Sequence, residues 1–123
     1  MGRPSDFYLN KNWIFKEGDW YQHDPCSSII SAPGWYGKDL INDIINREIN
    51  HEIGSHSFSH IDFNSDTTNV ELVNSELAVC IELAKRLSIE LRSFVFPGNF
   101  EGYHEQLKSF GFTSYRGYGG IDK

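Results

Sequence analysis

The order of helical and strand-like segments predicts an α/β fold with parallel strands joined by crossover helices. Three observations carry this. Residues 38–49, about 68–87 and about 103–110 show helical spacing of apolar residues or helix-ending signals. Short strand-like runs at 51–56, 93–96 and 112–115 alternate with them. Alternation of this kind calls for parallel strands, because a parallel partner is reached only through a crossover. Two chemically notable stretches, the histidines ending at His60 and the Pro97-Gly98 pair, then follow the carboxyl ends of strands, where such folds place their sites.

Residues 1–36 are irregular and rich in aromatics, with all three tryptophans (Trp13, Trp20, Trp35) punctuated by Pro4, Pro25, Pro33 and several glycines. Asp24-Pro25 and Pro33-Gly34 are turn signals. The stretch reads as a long loop packed on something, or as an edge hairpin around Trp13-Ile14-Phe15. Loop aromatics can form sugar platforms, but covering a core is the commoner role of large rings.

From Lys38 to Ile49, Leu40, Ile41, Ile44, Ile45 and Ile49 recur at three- and four-residue spacing and predict an amphipathic helix, with Asp39 and Asp43 in its first turns. His51–His56 reads as a short strand closed by Gly54, and residues 61–67 as a polar loop. Thr68-Asn69-Val70-Glu71 has capping-box spacing and opens a helix to about Leu87. Its stripe is Val70, Val73, Leu77, Cys80, Ala84 and Leu87, which makes Cys80 a core residue, and Lys85 and Arg86 suit its last turn. Ser93-Phe94-Val95-Phe96 is a buried-strand run stopped by Pro97-Gly98. A short helix spans about Tyr103 to Phe110 with Gly111 as its cap, and Phe112–Tyr115 is the next strand. Gly117-Tyr118-Gly119-Gly120 reads as a flexible tail, and no internal repeat is visible.

Composition narrows the function classes. The 123 residues suffice for one domain with a modest core, and 39% apolar content argues for an ordered chain. A formal charge of −6 argues against a nucleic-acid partner, which requires a basic surface. A neutral, hydroxyl-rich glycan is compatible. Cys26 and Cys80 lie far apart without a CxxC partner, so two unpaired thiols in a reducing compartment is the simplest reading, a single bridge being the alternative. No run reaches membrane-spanning length and no signal-peptide core opens the chain, which makes a cytoplasmic location the default expectation. Asp6 stands where a myristoylation signal wants Ser or Thr.

The stretch His51-Glu52-Ile53-Gly54-Ser55-His56-Ser57-Phe58-Ser59-His60 holds three of the five histidines. His51-Glu52 with His56 has one residue too many for a zincin: on a helix the two rings would stand about 140° apart, and Gly54 disfavours a helix there. His56 and His60, four apart and flanked by Ser55, Ser57 and Ser59, are the candidate metal ligands. The spacing is weak evidence by itself, since many such pairs are surface or capping histidines; placement after a strand strengthens it. His23, His51 and His104 lack comparable partners and read as structural or solvated.

This stretch resembles the second motif, His-Ser/Thr-x-x-His, of the polysaccharide deacetylases of the NodB-homology family (carbohydrate esterase family 4). The resemblance takes in Leu40–Ile49, the segment Ser93-Phe94-Val95-Phe96-Pro97-Gly98-Asn99, which is similar to the third motif, and Phe110–Gly117. It covers most of residues 20–117 and makes residues 37–123 a partial deacetylase domain behind an aromatic-rich segment 1–36. It implies part of a (β/α) barrel and a hydrolase that removes N-acetyl, sometimes O-acetyl, groups from a glycan. It further implies that His56 and His60 hold a divalent metal, most often zinc, which brings the pKa of water toward about 7 and polarises the acetyl carbonyl. Backbone amides would share in stabilising the oxyanion. Pro97 and Gly98 would line one side of the sugar groove.

The chain departs from the family pattern in several places. The strand ending in paired acids, which supplies the third ligand and the general base, has no match: Asp6, Asp19 and Asp24 end no apolar strand. The later motifs, including the histidine acid, would lie beyond Lys123. Val95 stands where the third motif usually has arginine, Arg92 is too distant to replace it, and Ile61 follows His60 where Ser or Thr is frequent. A catalytic zinc wants about three protein ligands, and this chain offers two. The expected account is an internal portion of a deacetylase domain; the alternative is a degenerate scaffold serving as a non-catalytic glycan-binding or interaction module. A partial barrel exposes strand edges, so the isolated chain is expected to self-associate. A monomer by light scattering with a sharp two-state melt would count against that.

Overall fold

The structure, a computed structural model, describes residues 27–117. These form two compact units, residues 27–52 and residues 53–117. The Trp13-Ile14-Phe15 hairpin, Cys26, His23, the acids Asp6, Asp19 and Asp24, and the tail beyond Gly117 lie outside the described residues.

In the first unit, Pro33 opens a helical turn, α1 (Pro33–Tyr36). Proline at the first helical position loses no hydrogen bond and has its φ already set. The Tyr36 hydroxyl donates to Ser27 O at 2.6 Å. Helix α2 (Lys38–Ile45) stops one turn earlier than the apolar spacing predicts. Asn46 takes φ −88°, ψ 6° and leaves the helix, in keeping with the poor helix propensity of asparagine. Ile49 is therefore not on its face; it stands 71% exposed, and Leu40, Ile44 and Ile45 are exposed as well.

The second unit is built around α3 (Val70–Arg86) and a parallel sheet of β1 (Ser93–Val95) and β2 (Ser114–Arg116). The register pairs Ser93 with Ser114, Phe94 with Tyr115 and Val95 with Arg116. On the other side of β1, Ser55 forms a parallel bridge to Phe94. The strand expected over His51–His56 thus shrinks to one paired residue. Helix α3 connects this segment to β1, and α4 (His104–Ser109) connects β1 to β2.

Buried phenylalanines tie the layers together. Phe63 lies 4.9 Å from Phe94 and 5.6 Å from Phe96, and Phe94 lies 5.5 Å from Phe112, centroid to centroid, in tilted or edge-on arrangements. Such geometries suit the ring quadrupoles and add to the area each ring buries. Leu72, Val73 and Leu77 of α3 are fully buried beneath them. Ile61 and Phe63 belong to the same core although their segment reads as polar.

Helix α3 begins at Asn69, whose Oδ1 accepts from Leu72 N at 2.8 Å. Thr68, the capping residue of the sequence reading, is buried and donates its hydroxyl to Asp62 O at 2.6 Å. Its hydroxyl closes the 61–69 loop, and the next residue caps the helix. Val70 and Leu87 are exposed, whereas Leu72 and Glu76 are buried, so the inward stripe is rotated from the one expected.

Both α3 and α4 end in the same hydrogen-bonded closure. In α4, Gly111 N donates to Lys108 O at 3.0 Å and Phe112 N to Leu107 O at 3.1 Å, with Gly111 at φ 90°. In α3, Ser88 N donates to Lys85 O at 3.0 Å and Ile89 N to Ala84 O at 2.9 Å. This is the Schellman pattern, whose turning residue is left-handed and normally glycine. Ser88 holds that position at φ 58°, where a Cβ costs roughly 1–2 kcal/mol. Ser88→Gly should therefore raise stability by about 1 kcal/mol in urea denaturation; a lower midpoint in the variant would contradict the assignment.

Candidate functional site

The site starts from backbone pairing. Ser55 N donates to Ser93 O at 2.9 Å, and Val95 N donates to Ser55 O at 2.9 Å. Gly54 permits this approach: a Cβ there would stand 2.6 Å from Ser93 Oγ and 3.1 Å from Ser93 O. His56, the next residue after the bridge, turns its ring to the same strand, and its Nδ1 lies 2.8 Å from Val95 O. A carbonyl oxygen only accepts, so Nδ1 carries the proton. In the neutral ring Nε2 then keeps a free lone pair.

After His56 the chain reverses tightly. Ser57 and His60 both adopt left-handed backbone, φ 61° and 60°. Ser57 Oγ accepts from His60 N at 2.9 Å, closing the turn. The His60 ring is thereby brought beside that of His56, with centroids 4.8 Å apart and planes at 74°. Both histidines are exposed.

Beneath this turn lies Glu76, a residue the sequence reading passed over. Its carboxylate is 3% exposed. Oε2 accepts from Phe58 N at 3.0 Å and Ser59 N at 2.8 Å, and Oε1 accepts from the Ser59 hydroxyl. Burial pushes the Glu76 carboxyl above the usual carboxylate range, and its three donors oppose that shift. The signal was available in the spacing: Leu72, Glu76 and Cys80 fall four apart on one helical face, so a carboxylate sits where the stripe demands an apolar residue.

Cys80 is buried beneath Ser55, and burial pushes its thiol up to about 11. At neutral pH it is therefore a thiol, the inert state of a structural cysteine. A shallow pocket of about 250 Å³ beside His56 is lined by Ser55, Ser57, Phe58, Cys80 and apolar residues of α3 and the segment after it.

The second candidate element follows β1. Pro97 opens a 3₁₀ turn (Pro97–Asn99) in which Gly98 has φ 60° and Asn99 φ 59°. Pro97 is fully buried and Gly98 is exposed. A Cβ on Gly98 would meet the Phe100 ring at 2.8 Å and approach Asp62 Oδ1 at 3.7 Å. The sheet brings the two elements together, since His56 is bonded to Val95, two residues before Pro97. His104 stands apart from the pair, its ring 4.8 Å from that of Tyr115 and its Nε2 3.7 Å from Glu101 Oε2. His51 falls in the first unit.

His56 and His60 are residue types that can ligate zinc. The rings are adjacent, and His56 has the second hydrogen bond that metal-bound imidazoles characteristically make. Among the described residues no group of three or more His, Cys, Asp or Glu is arranged to hold a metal ion.

Adding a methyl group at Gly54 tests the pairing that places His56. Gly54→Ala should destabilise the protein by roughly 1–3 kcal/mol, since the added Cβ must displace Ser93. A variant as stable as the parent by chemical denaturation would show that Ser55 does not depend on this close approach.

In comparisons with known proteins, no family model, no curated protein and no solved structure matches the chain.

Proposed function

We propose that the chain carries part of the active site of a metal-dependent hydrolase that removes N-acetyl, or O-acetyl, groups from a polysaccharide. The observation that carries the reading is the juxtaposition of His56 and His60, rings 4.8 Å apart, with His56 Nδ1 committed to Val95 O. In this reading the scaffold is part of a (β/α) barrel, and the parallel pairing of Ser55, β1 and β2 is compatible with it.

The residues divide the work as follows. Val95 O holds the His56 tautomer and ring direction, so that Nε2 is the coordinating nitrogen. The Ser57–His60 turn brings the second imidazole alongside. When bound, zinc supplies Lewis-acid chemistry, polarising the acetyl carbonyl and making water acidic enough to react near neutral pH. Pro97 and Gly98, just after β1, line one side of the sugar groove, with Gly98 exposed there. The third ligand, the general base and the acid are not assigned to any residue of this chain. The acidic balance, −6 overall, suits a neutral glycan better than a nucleic acid. No helix among the described residues is long and apolar enough to cross a membrane.

Metal content decides the matter. Zinc-loaded protein, after removal of free metal, should retain zinc, and His56→Ala or His60→Ala should each lose at least nine-tenths of it. Zinc content unchanged in either variant would sink the proposal. Acetate release from chitin oligomers by the full-length gene product would then separate a deacetylase from a glycan-binding module.

A further inference from the structure

We propose that Glu76 is a positioning residue for the His56/His60 pair, its buried carboxylate clamping the turn that sets the two imidazoles side by side. The inference rests on the metal-site reading above and adds to it a residue outside the ligand set.

The three hydrogen bonds to Glu76 come from Phe58 N, Ser59 N and the Ser59 hydroxyl, all within the three residues that separate the histidines. No ring of the pair is touched directly, so Glu76 acts through the loop. The loop needs holding. Two of its non-glycine residues, Ser57 and His60, are left-handed, each at a cost of roughly 1–2 kcal/mol, and such conformations persist only where the surroundings over-determine them. Ser57 Oγ provides one brace from within the turn; Glu76 provides three from the helix below.

The carboxylate is also an expensive choice for a core position. It sits between Leu72 and Cys80 on the inward face of α3, 3% exposed. Burying a carboxylate is costly unless hydrogen-bond partners offset the loss of water. Packing alone gives no reason for Glu76; acceptance from two backbone amides and a hydroxyl in the metal-site turn does.

The test compares zinc affinity with thermal stability in the full chain, using competition against a chromophoric chelator and the visible absorption of the cobalt-substituted protein. In Glu76→Gln, which keeps the shape and one acceptor oxygen, zinc affinity should fall at least tenfold and the cobalt bands should shift, while Tm stays within a few degrees of the parent. Ser59→Ala, which removes only the hydroxyl bond, should give a smaller loss of roughly threefold, and it decides the matter if Glu76→Gln does not fold. A purely structural Glu76 predicts the opposite split: lowered Tm with parent zinc affinity and unchanged cobalt bands. That result, with zinc still lost in His56→Ala, overturns this inference and leaves the metal site standing. Parent protein that takes up no zinc, or His56→Ala that retains it, overturns both.

Discussion

The peptide of Val95 meets the histidine segment twice. Its N–H donates to Ser55 O, and its carbonyl accepts from the His56 ring. The first bond aligns the segment with the sheet; the second spends the Nδ1 proton of His56 and aims Nε2 away from the strand. Nearly everything else in the site depends on this double contact. The approach requires the missing side chain at Gly54, and Val95 is held in turn by β2 through its register with Arg116. Without the strand, His56 would be one more surface imidazole.

Helix α3 supports the same segment from the other side. Its apolar residues fix the sheet through the phenylalanine cluster, while Glu76 reaches up to the turn between the histidines. One helix thus serves packing at Leu72, Val73 and Leu77 and loop geometry at Glu76. The loop itself stores strain at Ser57 and His60, a distribution often seen where a site must be preorganised. The braces are local and short, so the pairing of the two rings is a property of residues 54–60, β1 and one helical turn of α3.

What could be read from the residues and what could not divide along physical lines. His56 and His60 are legible as a pair through their motif and their place after a strand, because spacing of four alone is shared by many surface and capping histidines. Phe94 and Cys80 declared themselves core by their apolar neighbours, and Gly111 declared a helix end because glycine tolerates φ 90°. Ser88 occupies the matching position after α3 with a side chain that ordinarily avoids it, so composition concealed that closure. Ile61 and Phe63 were hidden by flanking polar residues: a loop with two inward side chains has no helical or strand period to reveal it. Thr68 and Asn69 are both capable caps, and only the demand of Asp62 O for a donor shows which of them is free to cap α3. Glu76 was obscured by its charge, which reads as solvent-facing until three donors are seen to converge on it.

The structure sets the imidazoles of His56 and His60 side by side and supplies the groups that orient them. X-ray absorption at the zinc edge of the metal-loaded full chain tests that most directly. The predicted spectrum has two imidazole shells with Zn–N distances of about 2.0–2.1 Å and oxygen completing the coordination. A spectrum without imidazole scattering, or one dominated by sulfur at about 2.3 Å, would contradict the assignment of His56 and His60 as the metal ligands.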